Sequence, residues 1–301
     1  MTTRQSNPRV PYQMASERAR LEPLDGKPLM VHVVLNVEYW PFDRPMPRGV
    51  IPPPHGKAAV PDVGNFAWVE YGMRVGMPRI LKLLGERGIR ASTFMNAQCA
   101  DVYPSCAEAM LRAEWEFVGH GWFQQSLAVT DNEIEVIDRS LERLQALTGK
   151  RTRGWFGPGA GETDHTPDLL KQRGIDWLAD WFLDDLPCWM QTKHGPMIAM
   201  PYTMELNDVP IWIIQGLSSD ELERRLDSTL EVFDAELADN PKVLTFGLHP
   251  HLVGVPHRAS YFARCLDKLL ARDDTIFVTG SEIADWYVGE EPAPASTTKG
   301  E

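Results

Sequence analysis

Basic residues are scarce in this 301-residue chain: 30 Lys and Arg stand against 42 Asp and Glu, for a formal charge of -12. A surface of that sign offers no basic face for phosphates. This excludes a nucleic-acid partner and docking on an anionic membrane. No run approaches the ~20 apolar residues of a membrane span, and Met1-Thr2-Thr3-Arg4-Gln5 lacks the apolar stretch of a signal peptide. A soluble, cytoplasmic protein is expected. Cysteine is sparse too: Cys99, Cys106, Cys188 and Cys265 form no Cys-x-x-Cys pair. That argues against a structural zinc site and reads as free thiols in a reducing compartment. There is no Gly-x-Ser-x-Gly nucleophile elbow, and Gly157-Pro158-Gly159-Ala160-Gly161 lacks the Lys-Ser/Thr of a P-loop.

What is present is alternation. Short apolar strands at about 30–36, 89–95, 116–119, 153–156, 177–179, 197–200, 243–248 and 275–278 are separated by helical patterns. The patterns lie at about 72–87, after Pro104, from a cap at Thr130 or Asp131 to Gly149, from Asp164 or Thr166 to Gly174, from the box Ser218-Ser219-Asp220-Glu221 to about 238, over 259–271, and from Ser281. Strands that alternate with helices build a mostly parallel sheet, and seven or eight such units predict a (β/α) barrel. Residues 1–28 read as an arm that wraps the domain or a neighbour, 29–288 as one catalytic barrel, and 289–301 as a flexible tail. The Pro- and Gly-rich insertion from Pro41 to about Phe66 is either a lid or an oligomer contact.

Three strands run out in polar residues. Val31–Leu35 ends in Asn36-Val37-Glu38, Glu116–Gly119 ends in His120, and Val243–Leu248 ends in His249-Pro250-His251. Strand ends at a barrel mouth are where ligands bind and where desolvation tunes pKa values. Carboxylate and imidazole together do acid–base work or hold a metal. Each motif alone also fits a buried polar residue satisfied by the main chain; three at one mouth favour a hydrolytic site.

The order of short motifs resembles the polysaccharide deacetylase superfamily, and within it the allantoinase and cyclic imide hydrolase branch. The matching segments are Asn36-Val37-Glu38, His120-Gly121-Trp122, Gly154-Trp155, Asp185-Leu186-Pro187-Cys188-Trp189, Pro201-Tyr202-Thr203 with Asn207-Asp208 behind, and Gly247-Leu248-His249. The family's metal positions depart: its acidic pair is Asn36 and Glu38, the second imidazole of its His-x-x-x-His is Gln124, and Phe156-Gly157-Pro158 lacks the family's arginine. The resemblance implies a distorted TIM-like barrel of the NodB-like type, a homo-oligomer and a place in carbohydrate metabolism. It also implies hydrolysis of a C–N bond in a small cyclic amide, imide or ureide, without a tightly bound metal. If a divalent ion such as zinc binds weakly, Glu38, His120 and Gln124 are its expected ligands.

The expected mechanism has Glu38 or His120 take the proton of water and His249 protonate the departing nitrogen. Asn36 is expected to donate to the carbonyl oxygen where negative charge grows. Trp122 and Trp155 are expected to wall the site, with Tyr39, Gln124 and His251 touching substrate. Two rivals remain: a metal-dependent N-deacetylase of an N-acetylated sugar, and a non-catalytic sugar-binding barrel.

Overall fold

The computed structural model describes residues 5–53, 56–57 and 59–294. Its centre is β1 (Leu29–Val37), whose nine residues are all buried. Val, Leu and Met fill both faces of this strand, so neither faces water, as expected of a parallel strand covered on both sides. Around it lie β2 (Ser92–Met95), β3 (Glu116–Gly119), β4 (Gly154–Trp155), β5 (Trp177–Leu178), β6 (Cys188–Thr192), β7 (Gly195–Ala199), β8 (Lys242–Leu248) and β9 (Thr275–Phe277). Their order is β6-β7-β5-β4-β3-β2-β1-β8, with β9 also on β1.

The sheet curls into the distorted NodB-like barrel, mostly parallel as expected, with two features that strand–helix alternation does not announce. It is mixed, because β6 and β7 form an antiparallel hairpin. It is also incompletely closed: the seam between β6 and β8 carries no ladder. Single contacts span it instead, from Val243 N to Asp185 O, Gly247 N to Leu206 O and Thr245 Oγ1 to Pro201 O. One flank of β1 is shared, with β9 beside Leu29–Val31 and β2 beside Val34–Val37. A buried network fills this fork: Ser92 Oγ donates to Glu116 at 2.7 Å and lies 2.8 Å from His32 Nε2. Burial holds the His32 imidazole down at about 3, hence neutral.

Helical structure begins earlier than the periodicity suggests. A helix over Val63–Tyr71 runs through a π-turn at Gly72–Gly76 into Met77–Gly85. Its first part has no one-sided apolar face, which hides it from a periodicity argument. The insertion therefore ends near Asp62, whose side chain caps the helix at Asn65 N. Buried Asn65 then pins the insertion by accepting from Val50 N and Ile51 N. Asn132 caps the helix Glu133–Thr148, not Thr130 or Asp131, and Gly149 ends it at φ 67°. The Ser218–Glu221 box does not form, since Glu221–Glu236 starts without a side-chain cap; a capping box forms instead at Thr279 and Glu282. The last helix, Gly280–Glu290, enters the expected tail, and the tail's end, 295–301, lies outside the described residues.

The described part of the arm, 5–28, packs on the chain's own barrel. Arg9 pairs with Asp168, Arg18 with Asp184, and Val10 and Leu21 are buried. Among the described residues no helix is long and apolar enough to cross a membrane. All four cysteines are free.

Candidate active site

The carboxyl ends of β1, β3 and β8 bring Glu38, His120 and His249 together. Glu38 Oε1 lies 3.4 Å from His249 Nε2 and 3.6 Å from His120 Nε2. Gln124 donates to the same oxygen at 2.8 Å, and the Trp40 indole donates to Oε2 at 2.8 Å. The carboxylate is 7% exposed. Burial alone would raise its pKa, but the His249 charge and the two imidazoles outweigh burial and hold it well below the usual carboxylate range.

His249 is fixed from behind by Asp208, for which the sequence alone suggests no role. The fully buried Asp208 accepts from His249 N at 2.6 Å and lies 2.7 Å from its Nδ1. Burial pushes the imidazole down, yet Asp208 and Glu38 more than offset this and lift it to about 10. We read the pair as imidazolium and carboxylate, because both oxygens of Asp208 face N–H donors. Glu38 and His249 are thus pushed apart in pKa, the arrangement that assigns base and acid roles to neighbouring groups.

The His249-Pro250-His251 turn is held by backbone contact. A Cβ on Gly76 would stand 2.2 Å from Pro250 O, and one on Gly72 would stand 2.4 Å from His251 N. Only glycine lets the helix that carries the π-turn approach so closely. His251 is buried with its ring edge-on to Trp68, 4.6 Å between centroids, and burial beside charged His249 holds it neutral, near 3.

The open side of Glu38 faces a hollow of about 620 Å³. Phe156, Trp40, Phe123, Phe182 and Tyr202 supply its aromatic walls, and Gln124, His249, His251 and Asn207 its polar groups. Pro41, Arg44, Pro45, Pro47 and Arg48 of the insertion form part of its lining.

Of the expected substrate contacts, Gln124 and His251 line this hollow and three aromatic residues do not. Trp155 is fully buried in the core, its ring lying where a side chain on Gly119 would go. Trp122 turns away at Gly121, φ 70°, and stacks under Arg139 at 3.7 Å. Tyr39 lines a separate groove with Phe42, Phe66 and Tyr103. Asn36 also lies off the hollow: 1% exposed, its Nδ2 donates to Leu248 O at 3.2 Å and to the Tyr202 hydroxyl at 3.1 Å. Its amide hydrogens are therefore committed within the protein. His120 sits behind Glu38, fully buried, with Nδ1 2.6 Å from Phe156 O and its ring stacked on Phe156.

The donor set does not suit a tightly held divalent cation. Among the described residues no group of three or more His, Cys, Asp and Glu stands where it could hold one. Both Glu38 oxygens already accept hydrogen bonds, and Gln124 presents an N–H rather than an oxygen. A cation is held by lone pairs, and these are already engaged, so no step of the reaction passes through one.

Residues 68–178 match the polysaccharide deacetylase family. The crystal structure of PuuE allantoinase superposes with a TM-score of 0.78 at 27% identity, covering 96% of each chain. A Helicobacter pylori peptidoglycan deacetylase is 22% identical over 267 residues, 72% of this chain and 85% of its own. A CE4-family pseudoenzyme from Bacillus anthracis, 13% identical with a TM-score of 0.53 over 85% of this chain and 66% of its own, shares the fold alone. In fold, in motif order and, over residues 68–178, in sequence, this chain is similar to the polysaccharide deacetylases of the NodB-like type.

Proposed function

We propose that the protein is a hydrolase that opens the C–N bond of a small cyclic amide, imide or ureide without a tightly bound metal. One observation carries the reading: a carboxylate held ionised and an imidazole held protonated face each other at 3.4 Å beside an aromatic hollow. Aromatic walls suit a flat ring, and a volume of about 620 Å³ suits a small molecule better than a polymer strand. The likeness to PuuE allantoinase over 96% of both chains supports the same branch.

The chemistry balances on two side chains. Water attacks the ring carbonyl carbon while Glu38 takes one of its protons. The carbonyl oxygen becomes an oxyanion. The C–N bond then breaks as His249 Nε2 gives its proton to the nitrogen, leaving a carboxylic acid and a free N–H group. The proton on Glu38 returns to neutral His249 across the short gap, and both residues regain their starting states. Amides are poor electrophiles with poor leaving groups, so both the base and the acid are needed. His120 stays behind Glu38 and orients it.

The test is a panel of hydantoins, imides and ureides, with N-acetylated sugars beside them, on metal-stripped protein. Ring opening without metal supports the reading; no ring opening, with N-acetyl hydrolysis only after a divalent metal is restored, overturns it. That second outcome would favour an N-deacetylase, the reading supported by the peptidoglycan deacetylase named among its relatives. Glu38→Gln removes the base while keeping acceptor and shape. It should lose nearly all turnover, by on the order of 10³-fold or more, with unchanged far-UV circular dichroism.

A further inference from the structure

With Asn36 turned inward, the oxyanion of the proposed reaction lacks the donor expected from the sequence. Tyr202 stands at that place. It lines the hollow beside Phe156, Asn207 and His249. Its ring is packed between Phe94, Phe156 and Phe182, with centroids 4.7 to 5.9 Å away, so the hydroxyl cannot swing aside.

The direction of its proton follows from counting. Asn36 Nδ2 donates to the Tyr202 oxygen at 3.1 Å and Asn207 Nδ2 donates to it at 3.2 Å. Neither amide can be turned to accept instead. Asn36 Nδ2 also donates to Leu248 O at 3.2 Å. Asn207 Nδ2 donates to Thr203 O at 3.2 Å, while its Oδ1 accepts from Val209 N at 3.1 Å. A phenol oxygen has two acceptor sites and one proton. Both acceptor sites are filled by amides, and among the described residues the hydroxyl donates to nothing. Gly247 leaves the room for this arrangement, since a Cβ there would lie 2.6 Å from the hydroxyl.

We propose that Tyr202 is a further catalytic residue, a hydroxyl whose proton is aimed by Asn36 and Asn207 at the oxygen of the carbonyl under attack. The inference rests on the hydrolytic reading above. It gives Asn36 a positioning role: the amide acts on the oxyanion through the phenol. Two N–H donors on the phenol oxygen draw electron density from it and make its O–H a stronger donor. Burial meanwhile raises the phenol above its ordinary value, so it stays protonated at any working pH. A preorganised donor of this kind in a dry site contributes its full strength without having to rotate into place.

Tyr202→Phe keeps the ring and its stacking, and leaves both amides their carbonyl acceptors. On a ring the wild-type protein opens, kcat should fall by roughly 10²-fold, with KM and thermal midpoint little changed. Fluorinated tyrosines placed at 202, which are stronger donors, should keep or raise kcat, a response that a packing role would not give. Wild-type kcat in Tyr202→Phe overturns the proposal. So does an atomic-resolution or neutron structure of the wild-type protein in which the Tyr202 hydroxyl donates to Asn36 Oδ1. The same structure is expected to show an ordered water accepting from Tyr202 on the side of the hollow. That readout holds even if no substrate in the panel is opened, an outcome that would count against the hydrolytic reading and not against the direction of the Tyr202 proton.

Discussion

Glu38 and His249 make the site sensitive to pH from both sides. His249 carries a pKa raised to about 10, against about 6.5 for an unfolded histidine. Its charged form therefore stabilises the fold fully below the unfolded value, and that stabilisation drains away as pH climbs through about 10. Glu38 behaves in the opposite sense: its contribution is present above the unfolded carboxylate value and is lost as pH falls through its depressed folded value. The proposed reaction needs both charges. It should show a broad plateau through neutrality, with an alkaline limb set by His249. Asp208→Asn keeps the size of the side chain and removes the charge behind the imidazole. The alkaline limb should then move to lower pH, and kcat should fall by on the order of 10³-fold. A pH–rate profile together with ring-proton chemical shifts of His249 checks both. An unmoved limb would mean that Asp208 does not set the acid.

The elements explain which residues were legible in the sequence. Glu38, His120 and His249 could be found because each is a polar residue ending an apolar run, and a buried strand tolerates such a residue only where its chemistry is used or satisfied. The three aromatic misses share one cause. Tyr39, Trp122 and Trp155 each sit one position before a residue that does line the hollow: Trp40, Phe123 and Phe156. Neighbouring side chains point in different directions, so an error of one residue puts Trp155 in the core, Tyr39 in another groove and Trp122 under Arg139. In strands of two residues such as β4, no pattern exists to fix that parity. Asp208 was hidden for another reason: it lies off the strands, beside a π-turn over Val209–Ile214 that periodicity cannot detect. Helix contact with the His249 turn gives the prediction at this scale. Gly76→Ala places a methyl against Pro250 O, which should cost about 1–3 kcal/mol as overpacking. A lowered thermal midpoint together with reduced kcat would show that this contact holds the acid in place; a loss of stability alone would show that it does not.

In the molecule as a whole, strand–helix alternation made the barrel class legible, while its open seam and its hairpin were not. β6 lies beyond a loop and pairs only with its neighbour in sequence, so nothing in its own residues announces an antiparallel partner. Its outer edge is covered by the arm, where Gln191 N donates to Arg9 O at 2.8 Å. Removing residues 1–18 would strip that cover, the Arg9–Asp168 and Arg18–Asp184 pairs and buried Val10. The loss should be about 2–4 kcal/mol. The bared strand edge should also drive concentration-dependent association, read by light scattering. A truncated protein that melts and scatters like the full chain would refute that role for the arm.

The unzipped seam between β6 and β8 has a bearing on how this fold diversifies. Tyr202, Met204, Asn207 and Val209 reach the hollow from the stretch that bridges it, and so do Phe182 and Ile214 from either side. Because no hydrogen-bonded ladder runs along this stretch, bulk at Phe182, Met204 or Ile214 can be added or trimmed without unravelling a strand. Selection for new substrate shapes should therefore enrich changes at these positions, while the opposite rim, fastened to β1, β2 and β3, stays constant.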